Sequence, residues 1–214
     1  MRDTRPWAAS EEELLGALAM PPAPMGALRE ALGERADAAG LVEVVYRPLE
    51  TALGTLLVAA TRTGLVSVTF DGAAPEATLD RLADEVSPRI LESRRRLDEP
   101  VRRLEALVDG RRREYGAPLD LRLARGFGRD VVERLREIPY GEVRTYGQVA
   151  DAVGSPRAVR AVGTACRRNP LPIAIPCHRV VRSDGTIGQY AGGEAAKRLL
   201  LAVEAGSRPH PLVE

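Results

Sequence analysis

From Leu41 the apolar residues fall into alternation. Val42, Val44 and Tyr46 are each separated by another residue, and Gly54 to Ala60 and Leu65 to Phe70 form two further β-rich runs parted by Thr63-Gly64. Three such runs joined by short turns predict a three-stranded antiparallel meander. Helical patterns follow at Pro75 to Val86 and Leu97 to Val108, the latter between the arginine runs Arg94 to Arg96 and Arg111 to Arg113, which read as solvated helix faces. Strands gathered early and helices elsewhere indicate a mixed α/β chain of the α+β kind. A small three-stranded unit with helices spans 41–116, and Gly116-Ala117-Pro118 reads as the hinge to a mostly helical unit at 119–206.

In that second unit, Gly128 to Ile138 is amphipathic, with Val131, Val132, Leu135 and Ile138 on one face, and Pro139-Tyr140-Gly141 ends it. Thr145 is a good N-cap for a helix over Tyr146 to Val153. Gly154-Ser155-Pro156 turns the chain into a third helix, Arg157 to Arg167. Two helices joined so tightly are a helix-turn-helix candidate, although any αα-hairpin gives the same pattern. The third helix carries Ala158, Ala161, Gly163, Thr164 and Ala165, and Gly163 costs it about 1 kcal/mol relative to alanine. Small residues let a helix axis come close to a narrow surface, with Arg160 projecting as a single long cation. Two readings stay open: entry into a DNA minor groove, since the side chains that usually read base edges are missing, or tight helix-on-helix packing. From Ala152 to Ser183 there are six arginines and no Asp or Glu. Such a segment suits a polyanion, or is a solvated face balanced by acids elsewhere in the fold; the formal net charge of +1 does not discriminate.

The first forty residues hold no chemical motif. Ser10 and Glu13 make a capping box for a helix through Leu14, Leu15 and Leu18, which Pro21, Pro22 and Pro24 stop. A second helix is predicted over Met25 to Ala38. This extension (1–40) either packs on a neighbour or is a loose arm. At the other end, 207–214 is a Pro-rich tail containing His210. Arg2 and Arg5 are not followed by an apolar core, and no run is long enough to cross a bilayer, so the expectation is a soluble cytoplasmic protein with no membrane partner. Cys166 and Cys177 are the only cysteines, too few for a disulfide framework or a four-cysteine zinc site.

The stretch with chemical content is Ile173-Ala174-Ile175-Pro176-Cys177-His178-Arg179-Val180-Val181. A β-branched run leads to a proline, which is expected to present the next residue at the end of a buried strand. That residue is a cysteine, a soft nucleophile beside two groups that can favour its thiolate. A lone cysteine is otherwise a small core hydrophobe.

The blocks Ile138-Pro139-Tyr140-Gly141-Glu142, Thr145-Tyr146-Gly147-Gln148, Arg160-Ala161-Val162-Gly163, Asn169-Pro170, Pro176-Cys177-His178-Arg179-Val180 and Gly192-Gly193, in this order and spacing, closely resemble the O6-alkylguanine-DNA alkyltransferases. The resemblance covers Leu119 to Gly206 and, more loosely, the strands from Leu41. It implies a winged helix-turn-helix-like C-terminal domain that carries the active site and removes alkyl groups from O6-alkylguanine and O4-alkylthymine once per molecule. In it Cys177 is the alkyl acceptor, His178 the base acting through a water, Glu204 the carboxylate that orients His178, Tyr146 the phenol that serves the leaving guanine, and Asn169 the hinge asparagine. Val180, Tyr190 and Ala191 frame the base. Arg160 fills the vacated stack, on a DNA-binding face that includes Thr145, Ala161 and Gly163. The implied partner is double-stranded DNA containing alkylated bases, bound by a monomer, with cooperation between molecules left open. No cofactor and no metal are implied.

Two positions depart from the family. Ala191 stands where many relatives carry serine, so a donor to the base there would be a backbone N–H. Gly128 stands where glutamine is common. The zinc that some relatives bind in the N-terminal half has no ligands here, because no Cys or His precedes Cys166. A lesion-sensing winged-helix protein would lack the acceptor cysteine, and a cysteine hydrolase would need a catalytic histidine other than His210 in the tail.

Overall fold

The computed structural model describes residues 25–72 and 74–206. The helix expected through Leu14, Leu15 and Leu18, its proline stop and the tail with His210 lie outside the described residues. The first part holds α1 (Met25–Ala38), β1 (Val44–Thr51), β2 (Gly54–Ala60), β3 (Leu65–Thr69), α2 (Glu76–Glu85), β4 (Ile90–Glu92) and α3 (Asp98–Val108). The second holds α4 (Gly126–Leu135), β5 (Arg144–Thr145), α5 (Tyr146–Ala152), α6 (Val159–Arg167), β6 (Val180–Val181) and α7 (Gly193–Glu204).

The expected meander is present, but the sheet has four strands in the order β3-β2-β1-β4 and is not purely antiparallel. β4 lies parallel on the far side of β1, with Ile90 opposite Val44 and Glu92 opposite Tyr46. A strand of three residues is too short to show alternation, which is why the sequence predicts only three strands. Pro48 is tolerated inside β1 because β4 ends opposite Tyr46, so at Pro48 the strand has a neighbour on one side only. Between β2 and β3 the register shifts at Ala59/Ala60. After that bulge Leu65 and Val68, three residues apart, both join the larger core, while Val66 joins the smaller one.

The smaller core packs Val44, Ala59 and Val66 against Leu82 of α2. The larger places Val45, Leu49, Leu56 and Val58 against the helical stripe Val101, Leu104, Leu107 and Val108 of α3. It then runs without a break through Val131, Val132 and Leu135 of α4 to Val162, Ile175, Cys177 and Leu200. α1 packs on the sheet rather than standing off as a loose arm. Asp37 pairs with Arg96 at 2.7 Å, and a Cβ on Gly33 would lie 2.8 Å from the Glu92 carbonyl oxygen.

The outer edge of β3 joins the two parts. Leu65 N–H donates to Pro118 O at 3.1 Å, Asp120 N–H to Leu65 O at 2.7 Å, and Val68 N–H to Pro170 O at 2.8 Å. The Gly116-Ala117-Pro118 connector is held as well, since Arg103 donates to the carbonyls of Tyr115 at 3.0 Å and Gly116 at 2.8 Å. In the second part β5 pairs in parallel with β6, Arg144 opposite Val180 and Thr145 opposite Val181. That short pairing sets Tyr146, the first residue of α5, beside the strand that follows Cys177.

Candidate active site and nucleic-acid interface

The segment before Cys177 is not the expected strand but a train of tight turns. Ile175 N–H donates to Leu171 O at 2.8 Å and Ala174 N–H to Pro172 O at 2.9 Å, and Cys177 opens a single 3-10 turn, Cys177–Arg179. The reason is proline. Pro170, Pro172 and Pro176 lack N–H groups and fix φ, so the β-branched residues between them cannot form a ladder. Ile173 adopts φ 72°, a left-handed conformation rare for a β-branched residue. Asn169 closes the turn from within: its Nδ2 donates to Ile175 O at 3.2 Å and its Oδ1 accepts from Leu171 N–H at 3.0 Å. Its amide therefore ties the end of α6 to the approach to Cys177.

Cys177 is 2% exposed, and burial pushes its thiol up to about 11, against the opposing pull of an Asn169 hydrogen bond and the Lys197 charge. Of the two adjacent residues expected to favour the thiolate, Arg179 is committed elsewhere and His178 engages Glu204 through one ring nitrogen only. Arg179 donates through Nε and Nη2 to Glu204 at 2.9 to 3.1 Å and through Nη1 to Ile138 O at 2.6 Å. His178 Nε2 lies 2.8 Å from Glu204 Oε1. The remaining Glu204 oxygen accepts Gly141 N–H at 3.0 Å, in the Pro139-Tyr140-Gly141 turn.

These contacts fix the protonation states. Burial opposes the charge on Glu204, but hydrogen bonds from His178 and Arg179 outweigh it and hold the carboxyl at about 2. Burial also lowers the His178 pKa, more than Glu204 raises it. An ionised carboxylate can only accept, so the neutral imidazole carries its proton on Nε2. Nδ1 is left as a buried lone pair with no partner among the described residues.

The cation nearest in effect to the sulfur is Lys197, fully buried on α7, whose Nζ donates to Val180 O at 2.5 Å and lies 5.9 Å from the Tyr146 ring centroid. Sequence reasoning missed it. The available signal was that Lys197 is the only lysine in the chain, set among Ala195, Ala196 and Leu200. Tyr146 itself is pushed up to about 12 by burial and by the two thiols, so it remains a hydrogen-bond donor. Val180 is buried, and Tyr190 stacks edge-on to His178 with centroids 6.3 Å apart. Ala191, next to Tyr190, is exposed.

On α6 the two readings divide by face. Arg160, Ala161 and Thr164 are exposed, while Val162, Ala165 and Cys166 are buried and Gly163 packs towards Tyr146, where a Cβ would lie 3.9 Å from the ring. Thr145 is an N-cap in a full capping box: its hydroxyl accepts Gln148 N–H at 3.1 Å, and Gln148 accepts Thr145 N–H at 2.8 Å. Arg125 and Arg168 border a groove of about 430 Å³ beside Ala161 and Thr164. A second groove, of about 850 Å³, runs past Tyr190 between Arg167, Arg182 and Arg198. Among the described residues no helix is long and apolar enough to cross a membrane.

A family model described as the DNA-binding domain of 6-O-methylguanine DNA methyltransferase matches residues 126–206. The chain is 38% identical over 162 residues to the methylated-DNA–protein-cysteine methyltransferase of Methanosarcina barkeri, an alignment covering 74% of this chain and 96% of that protein. Among solved structures it is similar to the Mycobacterium tuberculosis O6-methylguanine methyltransferase, with 33% identity and a TM-score of 0.66 over 78% of this chain and 95% of that one. The M. tuberculosis protein OGT, solved in complex with DNA, matches with 31% identity and a TM-score of 0.62 over 77% of this chain and 95% of that one.

Proposed function

We propose, from the premise that this chain belongs to the methylated-DNA–protein-cysteine methyltransferase family, a class that repairs DNA by transferring an alkyl group to a protein cysteine, that Cys177 is the acceptor and His178 Nδ1 the base that activates it. The observation that carries this reading is the His178–Glu204 pair. It leaves an unprotonated ring nitrogen in a buried site next to a thiol that is itself held protonated.

O6-alkylguanine, flipped out of the duplex, enters between Tyr146 and the Tyr190-Ala191 loop, with Val180 beneath it. The thiol proton passes through a bridging water to Nδ1, and Glu204 stabilises the imidazolium. The sulfur attacks the alkyl carbon, the S–C bond forms as the C–O6 bond breaks, and the electron pair leaves with guanine. The Tyr146 hydroxyl donates to the leaving base, and Lys197 offsets the charge that passes from sulfur to guanine. The imidazolium then returns its proton through water to the departing guanine anion, so the net result moves the proton from sulfur to guanine and leaves His178 neutral. The thioether persists, so each molecule acts once and needs no cofactor. O4-alkylthymine has the same alkoxy carbon and takes the same route.

Duplex binding falls to α5 and α6 as a winged helix-turn-helix-like pair in the minor groove. Ala161 allows close approach, Gly163 leaves room behind it for the Tyr146 ring, Thr145 sets the start of α5, and Arg160 enters the stack that the base leaves. Asn169 holds the turn that carries the acceptor. The protein works as a monomer in the cytoplasm.

Single-turnover repair of a duplex carrying O6-methylguanine tests this. Cys177→Ala should abolish restoration of guanine and leave duplex affinity within about twofold, because the sulfur is buried away from the DNA face. Arg160→Ala should slow repair of duplex by roughly tenfold or more, since flipping costs a few kcal/mol, and should leave transfer from free O6-benzylguanine nearly unchanged. Equal losses on both substrates would remove the intercalating role.

A further inference from the structure

We infer that Phe70, the residue just after β3, is a positioning residue for the base-framing loop, through which the sheet half of the molecule sets the geometry of a site built in the helical half. The loop from Arg182 to Gly193 is costly to order. Gly185, Gly188 and Gly193 all take positive φ, at 81°, 70° and 81°. Its backbone hydrogen bonds stand at its ends, between Arg182 and Thr186 and between Tyr190 and Gly193. What holds the middle is side-chain packing from two directions.

From the helical half, Gly188 lies against Tyr146, where a Cβ would be 2.9 Å from the hydroxyl oxygen. From the sheet half, the Phe70 ring meets Tyr190 edge-on, with centroids 5.7 Å apart and planes at 75°. The same ring lies on Gly192 so closely that a Cβ there would fall 2.3 Å from Phe70 Cε1. Tyr190 in turn stands edge-on to His178 at 87°. Phe70 thus begins a chain of three rings that ends on the imidazole. Its place is fixed two residues earlier, where Val68 N–H bonds to Pro170 O beside Asn169. Phe70 is far from Cys177 in sequence and lies outside the matched DNA-binding domain; its effect passes through Tyr190 and the loop backbone.

The inference rests on the alkyl-transfer reading, and its test separates the two. Single-turnover alkylation by free O6-benzylguanine gives a saturation constant and a limiting rate. For Phe70→Ala the saturation constant should rise about tenfold, the scale of one lost aromatic pair and the order it imposed, while the limiting rate changes by less than about twofold. Phe70→Tyr should restore both. If Phe70→Ala does not fold, Phe70→Leu, which keeps apolar volume without the ring edge, carries the same comparison. Gly192 has φ −85°, open to alanine, so the penalty of Gly192→Ala comes from the Phe70 ring. In the double variant with Phe70→Ala the two losses should fall short of their sum.

An unchanged saturation constant in Phe70→Ala, or losses that add as for independent sites, would overturn the positioning role while leaving transfer to Cys177 intact. An unmodified protein that takes no alkyl group from any substrate would overturn the underlying reading and this role with it.

Discussion

Lys197 shows how one residue can govern the reactivity of another. It is fully buried, it is tethered to Val180 O, and its charge is one of the few influences pulling the Cys177 thiol down against burial. Lys197→Met keeps most of the volume and removes the charge, so the thiol should rise further above about 11. Iodoacetamide alkylation of Cys177, followed against pH, should shift to more alkaline conditions, slowing on the order of tenfold at fixed pH for a one-unit shift. An unshifted profile would show that Lys197 does not act on the sulfur. Cys177 and His178 were legible in the sequence because adjacency in the chain is visible there. The direction of their side chains was not: Arg179 reads as a thiolate partner but spends its donors on Glu204 and Ile138 O. Lys197, twenty residues downstream, comes near only through the fold.

At the scale of elements, Thr145 is a cap before it is anything else. Its hydroxyl and Gln148 satisfy each other's backbone N–H groups at the start of α5, which carries Tyr146. Thr145→Ala should cost about 1 kcal/mol, read as a lowered denaturation midpoint, and Thr145→Ser should recover most of it. The helices α1 to α6 were legible within a few residues because their apolar spacing and stops are local. α4 begins at Gly126 rather than Gly128, and α6 at Val159 rather than Arg157. The short strands β4, β5 and β6, the bounds of α7 and the turn before Cys177 were not legible. β4 is three residues long and exists because β1 offers an edge. The turn from Asn169 to Pro176 resembles a strand by composition, but its prolines deny it a ladder.

Across the whole molecule one apolar core joins sheet and helices, so the buried ionisable groups of the site bear on overall stability. Glu204 is held at about 2, below its ordinary 4.5, so its contribution is present above pH 4.5 and is lost as pH falls from there towards 2. His178 is lowered below 6.5, so folding also loses support as pH falls under 6.5. Cys177 is raised to about 11 from 9.0, so above pH 9 the unfolded chain sheds that proton more readily and stability declines with rising pH. Thermal midpoints should therefore be highest between about pH 7 and 9 and fall on both sides; a midpoint that holds undiminished down to pH 2 would contradict the buried ion pair. The most direct test of the account is to incubate the protein with a duplex containing O6-methylguanine and locate the transferred group by peptide mass spectrometry. The expected result is a single methyl group on the Cys177 peptide, with Cys166 unmodified. A methyl group on Cys166, or none on a protein that still binds the lesion, would contradict it.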